Sequence, residues 1–321
     1  MLRDEIITVF GGSGFVGRHI VRALAKAGYR VRVAARRPHL AQDLRVMGVV
    51  GQVQLVQANV RVASSVERAV EGASGVVNLV GVLNESGRQT FTRLHALGAK
   101  TVAEAAAAAG IDRVVHVSAI GADADSASRY ARTKAEGESA VMAALPKATI
   151  LRPSIVFGAG DSFFNRFASM ARFVPALPLF GGGKTRFQPV FAGDVARAVL
   201  ASLESDQARG RTYELGGPGV YSFAELMRFI LDEIDRPRAL LPLPWAIGSV
   251  IALGAEIAAI LPFVEPLITR DQLTQLKRDN VVSEGAGTLA DLGIAGETID
   301  AIVPAYLERY RRYGQFHERS A

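Results

Sequence analysis

The feature that most constrains this fold is a glycine cluster between a short apolar run and an apolar helical pattern. Residues 6–10 are rich in β-branched side chains and predict a strand, and Gly11, Gly14 and Gly17 follow at Gly-x-x-Gly-x-x-Gly spacing. The first glycine allows a tight turn, the second lets a pyrophosphate approach the backbone, and the third lets the helix pack closely on the strand. An ordinary glycine-rich turn is the alternative, but the preceding strand and following helix favour a dinucleotide site. The predicted cofactor contacts in this segment are Gly11, Ser13, Gly14, Phe15, Val16 and Gly17.

Short β-branched runs alternate with longer helical patterns over the first half of the chain, which is typical of crossover units on a parallel sheet. The predicted strands are residues 6–10, 30–34, 53–57, 75–79, 113–117 and 148–151. The predicted helices are residues 15–27, a segment around 40–47, 64–70, 89–109 and 128–144. We therefore predict an α/β fold with a Rossmann-type, doubly wound parallel sheet.

The pattern becomes irregular from Arg152 onward, where prolines and glycines interrupt it. We predict an NAD(P)-binding domain over residues 1–151 and a smaller, mostly helical lobe over residues 152–321. In that lobe, Ser222 and Glu225 form a capping box that opens a helix ending near Asp235. A last predicted helix spans residues 297–312 and carries Arg309, Arg311 and Arg312.

Composition excludes several classes of protein and site. The chain has no cysteine, which excludes disulfides, thiolate nucleophiles and Cys-ligated metals or iron–sulfur clusters. Its net charge of +6 is spread over 321 residues without a recognisable nucleic-acid module, so neither a nucleic-acid partner nor a metal is predicted. Because Met1–Glu5 lead directly into the first strand, no secretory signal peptide is expected.

The end of the second predicted strand bears on which dinucleotide binds. An acidic residue there holds a free ribose 2′-hydroxyl, whereas an arginine accommodates a 2′-phosphate. Arg36 and Arg37 stand at this position, with no acid between residues 30 and 40, so NADPH is predicted over NAD. There are two alternatives to a 2′-phosphate contact: both arginines are solvated loop residues, or one of them only shields the adenine. The other predicted cofactor contacts are Asn59 and Val60 after the third strand, and Leu79, Val80 and Gly81 after the fourth.

Tyr130 and Lys134 lie four residues apart in a predicted helix, so their side chains share a face. A lysine ammonium beside a phenol stabilises the phenolate and makes the tyrosine a usable acid or base. With the glycine cluster, this pair resembles the extended short-chain dehydrogenase/reductase superfamily. The resemblance implies that Ser118, Tyr130, Lys134 and Pro153 contact the cofactor. It also implies that the position of the family's catalytic hydroxyl residue is occupied by Ala119, which has no hydroxyl. Ser126 and Ser128 are the alternative sources of that hydroxyl. The position that an asparagine usually holds in this superfamily is His95 here, for which a packing or surface histidine is the alternative interpretation. With Ala119, this departure predicts that the cofactor site is kept and the hydride-transfer site is eroded.

A closer resemblance extends over nearly the whole chain. Its motifs are residues 10–19, 117–122, 130–135, 151–158, 185–190, 193–196, 279–283 and 313–316. They are similar to the nucleotide-binding accessory subunits of respiratory complex I, the alpha subcomplex subunit nine family, and their bacterial relatives. This resemblance implies tightly bound NADPH, no established turnover, and complex I partners near the quinone site. It also implies docking on the matrix or cytoplasmic arm near the quinone entrance. The apolar segment 245–261 and the basic final helix predict peripheral attachment to the membrane surface, on the cytoplasmic side of the inner membrane.

The apolar segment 245–261 is bounded by Pro244 and Pro262 and contains Glu256. Its length falls short of the ~20 apolar residues that a spanning helix needs. A buried core helix and a helix that lies on a membrane or a membrane subunit both remain open. Three functions are likewise open: an accessory subunit with a structural cofactor, an active oxidoreductase or epimerase that uses Tyr130, and an NADPH-sensing regulator.

Overall fold

The computed structural model describes residues 2–258 and 268–316. Thirteen strands are found in these residues. They are β1 (Ile6–Phe10), β2 (Arg30–Ala35), β3 (Val53–Gln57), β4 (Gly75–Asn78), β5 (Val114–Val117), β6 (Thr149–Pro153), β7 (Val156–Phe157), β8 (Ala176–Phe180), β9 (Arg186–Phe187), β10 (Val190–Phe191), β11 (Thr212–Leu215), β12 (Tyr221–Ser222) and β13 (Ala239–Leu243).

Ten α-helices are found in the same residues. They are α1 (Phe15–Lys26), α2 (Ala63–Val70), α3 (Leu97–Ala108), α4 (Arg129–Ala144), α5 (Phe164–Ala171), α6 (Ala192–Glu204), α7 (Phe223–Glu233), α8 (Trp245–Ala258), α9 (Arg270–Gln275) and α10 (Ile299–Leu307). A 3₁₀ segment spans Pro38–Met47, and a π-helical turn, Thr92–Ala96, leads directly into α3.

The chain forms two compact units. Unit 1 contains residues 1–153, 192–215 and 282–295, and unit 2 contains residues 154–191, 216–281 and 296–321. The sheet of unit 1 has seven parallel strands in the order β11-β6-β5-β4-β1-β2-β3. The order reverses between β1 and β4, which is the switch point at which open α/β sheets bind ligands. The predicted α/β class with a doubly wound parallel sheet is confirmed.

Both faces of this sheet are covered because side chains alternate along each strand. Thr8 points to the α2 face, where its hydroxyl donates to the carbonyl oxygen of Ala69 at 2.9 Å. Val9 points to the other face, where it meets Val21 of α1 and Val33 of β2 around Gly12. Helices α1 and α6 pack together, and α3 packs between α2 and α4. The strands are therefore buried on both faces, as continuous apolar runs predict.

The sequence predicts one domain boundary near residue 151, whereas each unit of the structure is built from three separate stretches of the chain. Strand β11 pairs in parallel with β6 through Thr212 and Ile150, and α6 packs on α1, so residues 192–215 return to unit 1. The sequence prediction contains no strand at 212–215. The reason is that its four residues join the sheet through contacts more than 50 residues away, which a local pattern does not report.

Unit 2 has an aromatic core and three two-stranded sheets, β10-β7, β12-β9 and β13-β8. Phe163 makes ring contacts with Phe164, Phe167 and Phe223, at centroid distances of 5.3, 5.2 and 6.2 Å. The aromatic helix that begins near Phe163 thus packs this core. The predicted capping box is present: Ser222 Oγ accepts from the N–H of Glu225, and the Glu225 carboxylate accepts from the N–H of Ser222.

Helix α8 is apolar yet largely exposed. It buries only Gly248 and Ala252, against residues that include Phe180 and Leu273. Five large apolar side chains are exposed, namely Ile247, Val250, Ile251, Leu253 and Ile257. This exposure contradicts the buried core helix for residues 245–258, while 259–261 lie outside the described residues. In the part of the chain that the structure describes, no helix has both the length and the apolarity needed to cross a membrane.

The basic end of the chain is tied into unit 2. Arg309 donates to Asn165 Oδ1, and Arg311 Nε donates to the carbonyl oxygen of Glu233 at 2.8 Å. The side chain of Arg311 is only 12% exposed. Arg311 therefore contributes to packing within unit 2, whereas Arg309 and Arg312 are exposed and keep their charge at the surface.

Candidate cofactor-binding site

A cleft opens at the switch point of the unit 1 sheet. It is lined by Phe10, Gly11, Ser13, Gly14, Ala34, Ala35, Arg36, Ala58, Asn59, Val60, Leu79, Val80, Gly81, Val82, Gln89 and Leu94. The predicted contacts that line it are Gly11, Ser13, Gly14, Arg36, Asn59, Val60, Leu79, Val80 and Gly81. Those that do not are Phe15, Val16, Gly17, Arg37, Ser118, Tyr130, Lys134 and Pro153.

Sterics explain the glycine cluster. Gly11 adopts a φ of 83°, in the region that favours glycine. A Cβ on Gly17 would lie 2.3 Å from the carbonyl oxygen of Gly11 and 2.6 Å from the Cα of Gly12, so no side chain fits there. Gly17 thus holds α1 against the turn after β1 without touching the cleft itself.

The start of α1 suits a pyrophosphate. Gly14 is its N-cap, no side chain caps the helix, and the first turn contains no acidic residue. The first N–H groups of a helix lack intrahelical partners and carry the positive end of its dipole. This backbone, with Gly11 and Gly14 lining the cleft, fits the phosphates of a dinucleotide.

The ends of β2 and β3 form the other side of the cleft. Arg36 lines the cleft and is exposed, whereas Arg37 is exposed outside it. Among residues 2–258 and 268–316, no carboxylate lies within ion-pair distance of Arg36. Asn59 is held by its neighbour, because its Oδ1 accepts from the backbone N–H and from Nε of Arg61 at 3.1 and 3.2 Å.

Tyr130 and Lys134 lie on one face of α4, as their spacing predicts. The ammonium nitrogen of Lys134 is 6.0 Å from the centroid of the Tyr130 ring. Lys134 is buried, and this burial lowers its pKa to about 8. The negative charge of the nearby Glu138 acts in the opposite direction and offsets part of the decrease. It also lies at the edge of the cleft, since a Cβ on Gly81 would be 3.3 Å from its Nζ.

His95 connects three elements beside this pair. Its Nε2 accepts from the N–H of Val82 at 3.0 Å, so the proton of the neutral ring is on Nδ1, which lies 3.2 Å from Thr133 Oγ1. Burial, with a smaller effect of Lys134, lowers the pKa of His95 to about 3 and keeps the ring neutral. The ring stacks on Phe91 at 5.3 Å and meets Tyr130 edge-on at 5.2 Å. The π-helical turn that contains His95 places it there, and sequence alone left its role open.

Two buried polar atoms under α4 lack protein partners among the described residues, namely Ser118 Oγ and His116 Nε2. His116 Nδ1 lies 3.3 Å from the Asn78 amide, whose Oδ1 accepts from the N–H of Val80 at 3.1 Å. Burial, followed by Lys134, lowers the pKa of His116 to about 3. Because buried polar groups are normally paired, an unpaired hydroxyl next to the cleft-forming strands fits a site that receives a polar ligand.

The predicted catalytic hydroxyl is absent where the resemblance places it. Ala119 follows Ser118 at the end of β5, and Ser128 is occupied as the N-cap of α4, accepting from the N–H of Ala131 at 3.2 Å. Ser126 Oγ accepts from the N–H of Ser128 at 3.2 Å. Both candidate substitutes therefore shape the start of α4. Among the described residues, no cluster of three or more His, Asp or Glu side chains is arranged to hold a metal ion.

Comparison with known proteins identifies the family. Residues 7–216 match the NAD dependent epimerase/dehydratase family. The chain is 35% identical, over 96% of its length, to NADH dehydrogenase (ubiquinone) 1 alpha subcomplex subunit 9, mitochondrial, of Arabidopsis thaliana, and covers 79% of that protein. The chain belongs to the alpha subcomplex subunit 9 family of these epimerase-like proteins. The member from Mus musculus is 32% identical over 96% of this chain, which covers 81% of that member. The resemblance drawn from the motifs is thus confirmed.

Solved structures share the fold of the subunit 9 family member. The triphenylmethane reductase of Citrobacter superposes with a TM-score of 0.75 over 94% of this chain and 99% of that enzyme, at 18% identity. This likeness concerns the fold alone. Family membership and the geometry of the cleft together support binding of a nucleotide cofactor in unit 1.

Proposed function

We propose that the chain is an NADP(H)-binding accessory subunit of NADH:quinone oxidoreductase, respiratory complex I. The observation that carries this proposal is the identity with subunit 9 proteins, which extends over both units. The cofactor would serve mainly a structural or regulatory purpose. A ligand that binds only the folded state stabilises it, by about 2.7 kcal/mol at a concentration 100 times its Kd.

Arg36 favours NADPH over NADH. It lies at the cleft end of β2, its guanidinium is exposed, and it has no carboxylate partner among the described residues. Its planar fork suits a 2′-phosphate, and Arg37 adds positive charge nearby. The glycine cluster would hold the pyrophosphate, and Asn59 and Val60 would flank the adenine.

Catalysis receives less support than binding. A bound nicotinamide would supply or accept a hydride. For this chain, Tyr130 would hold the proton to be exchanged, and the ammonium of Lys134 would stabilise the phenolate. Ala119 has no hydroxyl to orient a substrate oxygen, which weakens the case for turnover.

The proposed position is peripheral, on the cytoplasmic side of the inner membrane, beside complex I subunits near the quinone site. The exposed apolar residues of α8 support a contact with the membrane surface or a membrane subunit. The decisive experiment is purification of the tagged native protein from gently solubilised membranes. We expect quinone-reductase activity and the large complex I subunits to copurify, and recovery of the tagged protein without them would contradict the assignment.

Two alternatives predict different results. An active oxidoreductase or epimerase, favoured by the retained Tyr130–Lys134 geometry, would consume NADPH with a small substrate. An NADPH-sensing regulator would bind its partner differently with NADPH and with NADP⁺. Equal copurification with either form of the cofactor would favour the accessory subunit.

A further inference from the structure

Residues 82–91, called the strap below, run from the end of β4 to the helical turn before α3. Val82 and Gln89 of the strap line the cleft. Between them the chain reverses, and Ser86 and Gln89 exchange backbone hydrogen bonds of 3.1 and 2.9 Å around Gly87, whose φ is 54°. The strap is therefore a small hairpin on the wall of the cofactor cleft.

Arg61 connects the tip of this hairpin to the β3 side of the cleft. Its Nη1 donates to the carbonyl oxygen of Arg88 at 2.9 Å, while its Nε donates to Oδ1 of Asn59. Asn59 lines the cleft but Arg61 does not. One side chain thus joins the strap to the opposite wall without occupying the space of a ligand.

Glu85 connects the strap to the start of α4. Its carboxylate lies 3.0 Å from Nη1 of Arg129, the residue before Tyr130, and it also accepts from the N–H of Phe91 at 2.8 Å. The strap is consequently held at two points, by Arg61 near the end of β3 and by Arg129 at the start of α4.

The ends of the strap are fixed more firmly than its middle. Val82 donates to the buried ring of His95, and the buried ring of Phe91 stacks on the same histidine. Residues 85–88 are exposed, and a Cβ on Gly87 would meet nothing within 4 Å. Exposed polar contacts are individually weak, so the middle of the strap can open while its ends stay packed.

We propose that residues 82–91 retain the bound dinucleotide, and that the contacts of Arg61 and Glu85 set the rate at which it leaves. This inference rests on the proposed cofactor binding. Arg61 and Glu85 lie outside the cleft, so they would act on a bound ligand indirectly. They hold in place a segment that contributes Val82 and Gln89 to the cleft wall. Release requires the strap to open as well as the cofactor to leave its own contacts, so weakening the contacts of Arg61 or Glu85 accelerates release while the residues proposed to hold the cofactor, Gly11, Gly14 and Arg36, are unaltered.

The first test measures the release of NADPH from the full-length protein by its fluorescence after a chase with excess NADP⁺. Arg61→Ala should accelerate release about fivefold, the equivalent of one hydrogen bond. Glu85→Gln keeps an oxygen for Phe91 and removes only the charge, so it should accelerate release about twofold. Arg68→Ala in α2 makes the same change of charge away from the strap and should leave the rate unchanged.

The second test locks the strap. Because the chain has no native cysteine, Arg61→Cys and Arg88→Cys introduce the only two thiols. Joining them after NADPH has bound with a short bis(methanethiosulfonate) reagent, which forms a disulfide with each thiol as a methanesulfinate leaves, should slow release at least about tenfold relative to the untreated double variant, since local opening is then prevented. Reduction of the linker should restore the rate of the untreated double variant. After the same treatment, Arg61→Cys alone should release NADPH as fast as Arg61→Ala, because both lack the guanidinium contacts, and Arg88→Cys alone should behave like the unmodified protein, because Arg88 contributes only its carbonyl oxygen.

The outcomes separate this inference from the proposed function. Failure of the unmodified protein to bind either NADPH or NADH contradicts both. Normal binding with unchanged release in Arg61→Ala, Glu85→Gln and the cross-linked protein contradicts the strap alone. Faster release in the two variants and slower release after cross-linking support it.

Discussion

The ammonium nitrogen of Lys134 lies 3.3 Å from the backbone carbonyl oxygen of Val117, at the end of β5. The side chain of Glu138 is one helical turn away, but both of its oxygens accept from Arg152, at 2.9 and 2.6 Å. Its charge therefore compensates only part of the cost of burying Lys134, whose pKa falls to about 8. The fold thus keeps a poorly solvated cation at the edge of the cofactor cleft.

This burial predicts a specific dependence of stability on pH. Between the folded pKa of about 8 and the unfolded value of 10.5, the unfolded chain binds more protons at Lys134 than the folded chain. The free energy of unfolding should therefore rise with pH across this window, by roughly 3 kcal/mol from this group. Urea unfolding of Lys134→Met should lack that contribution. Lys100→Met, which removes an exposed lysine, should retain it, and equal pH slopes for the unmodified protein and Lys134→Met would contradict the prediction.

Gly17→Ala should damage the cofactor site through the backbone. Its Cβ would clash with Gly11 and Gly12, and forcing a methyl group into such a packed position costs roughly 1–3 kcal/mol. Gly254→Ala in α8 is the control, because its Cβ would meet nothing within 4 Å and should stabilise the helix by up to about 1 kcal/mol. Thermal unfolding and NADPH titration check both. A Gly17→Ala protein with full stability and affinity would exclude the close approach.

Arg36→Gln should reduce the preference for NADPH over NADH at least about tenfold, since a charge-assisted contact with the phosphate is lost. Arg37→Gln makes the same substitution at an exposed residue outside the cleft and should have a smaller effect. Calorimetric titration with both cofactors measures the ratio. Equal affinities in the unmodified protein would rule out Arg36 as the 2′-phosphate contact.

Tyr130→Phe should leave NADPH affinity and assembly with complex I essentially unchanged, because an accessory subunit with a structural cofactor needs no proton transfer by the Tyr130 hydroxyl. The measurement combines cofactor titration with copurification from membranes. A screen of sugar nucleotides, quinones and short carbonyl compounds provides the opposing result: NADPH oxidation that disappears in Tyr130→Phe would establish catalysis.

The double variant Ile251→Gln and Ile257→Gln should weaken membrane association without affecting unit 1. These side chains are 37% and 58% exposed, so the substitutions remove apolar contact area without opening a cavity. Leu97→Gln, at a residue of unit 1 that is 54% exposed, is the matched control. Flotation with vesicles of phosphatidylcholine and phosphatidylglycerol measures binding. Unmodified protein that remains entirely unbound would argue against direct contact of α8 with lipid, and would leave a membrane subunit as its partner.

Local patterns predicted most of the Rossmann elements accurately. Strands β1 and β3 have the predicted bounds, and β2, β4 and β5 differ by one residue. These strands have continuous apolar stretches, and each is followed by a turn and a helix that the neighbouring residues themselves specify. Nine predicted cofactor contacts, the ones that line the cleft, converge for the same reason: the ends of parallel strands meet at one edge of the sheet. The assignment of individual contacts to a bound cofactor stays a prediction.

The sequence by itself therefore determined the strand–turn–helix around Gly14, the shared helix face of Tyr130 and Lys134, and the family. Only the tertiary structure decided that β11 completes the sheet, that Val82 fixes the tautomer of His95, and that α8 leaves its apolar side chains exposed. The physical reason is the range of the interactions. Periodicity and glycine spacing act within a few residues, whereas hydrogen bonds such as that from Val82 to His95, and the burial of each side chain, depend on elements brought together by the complete fold.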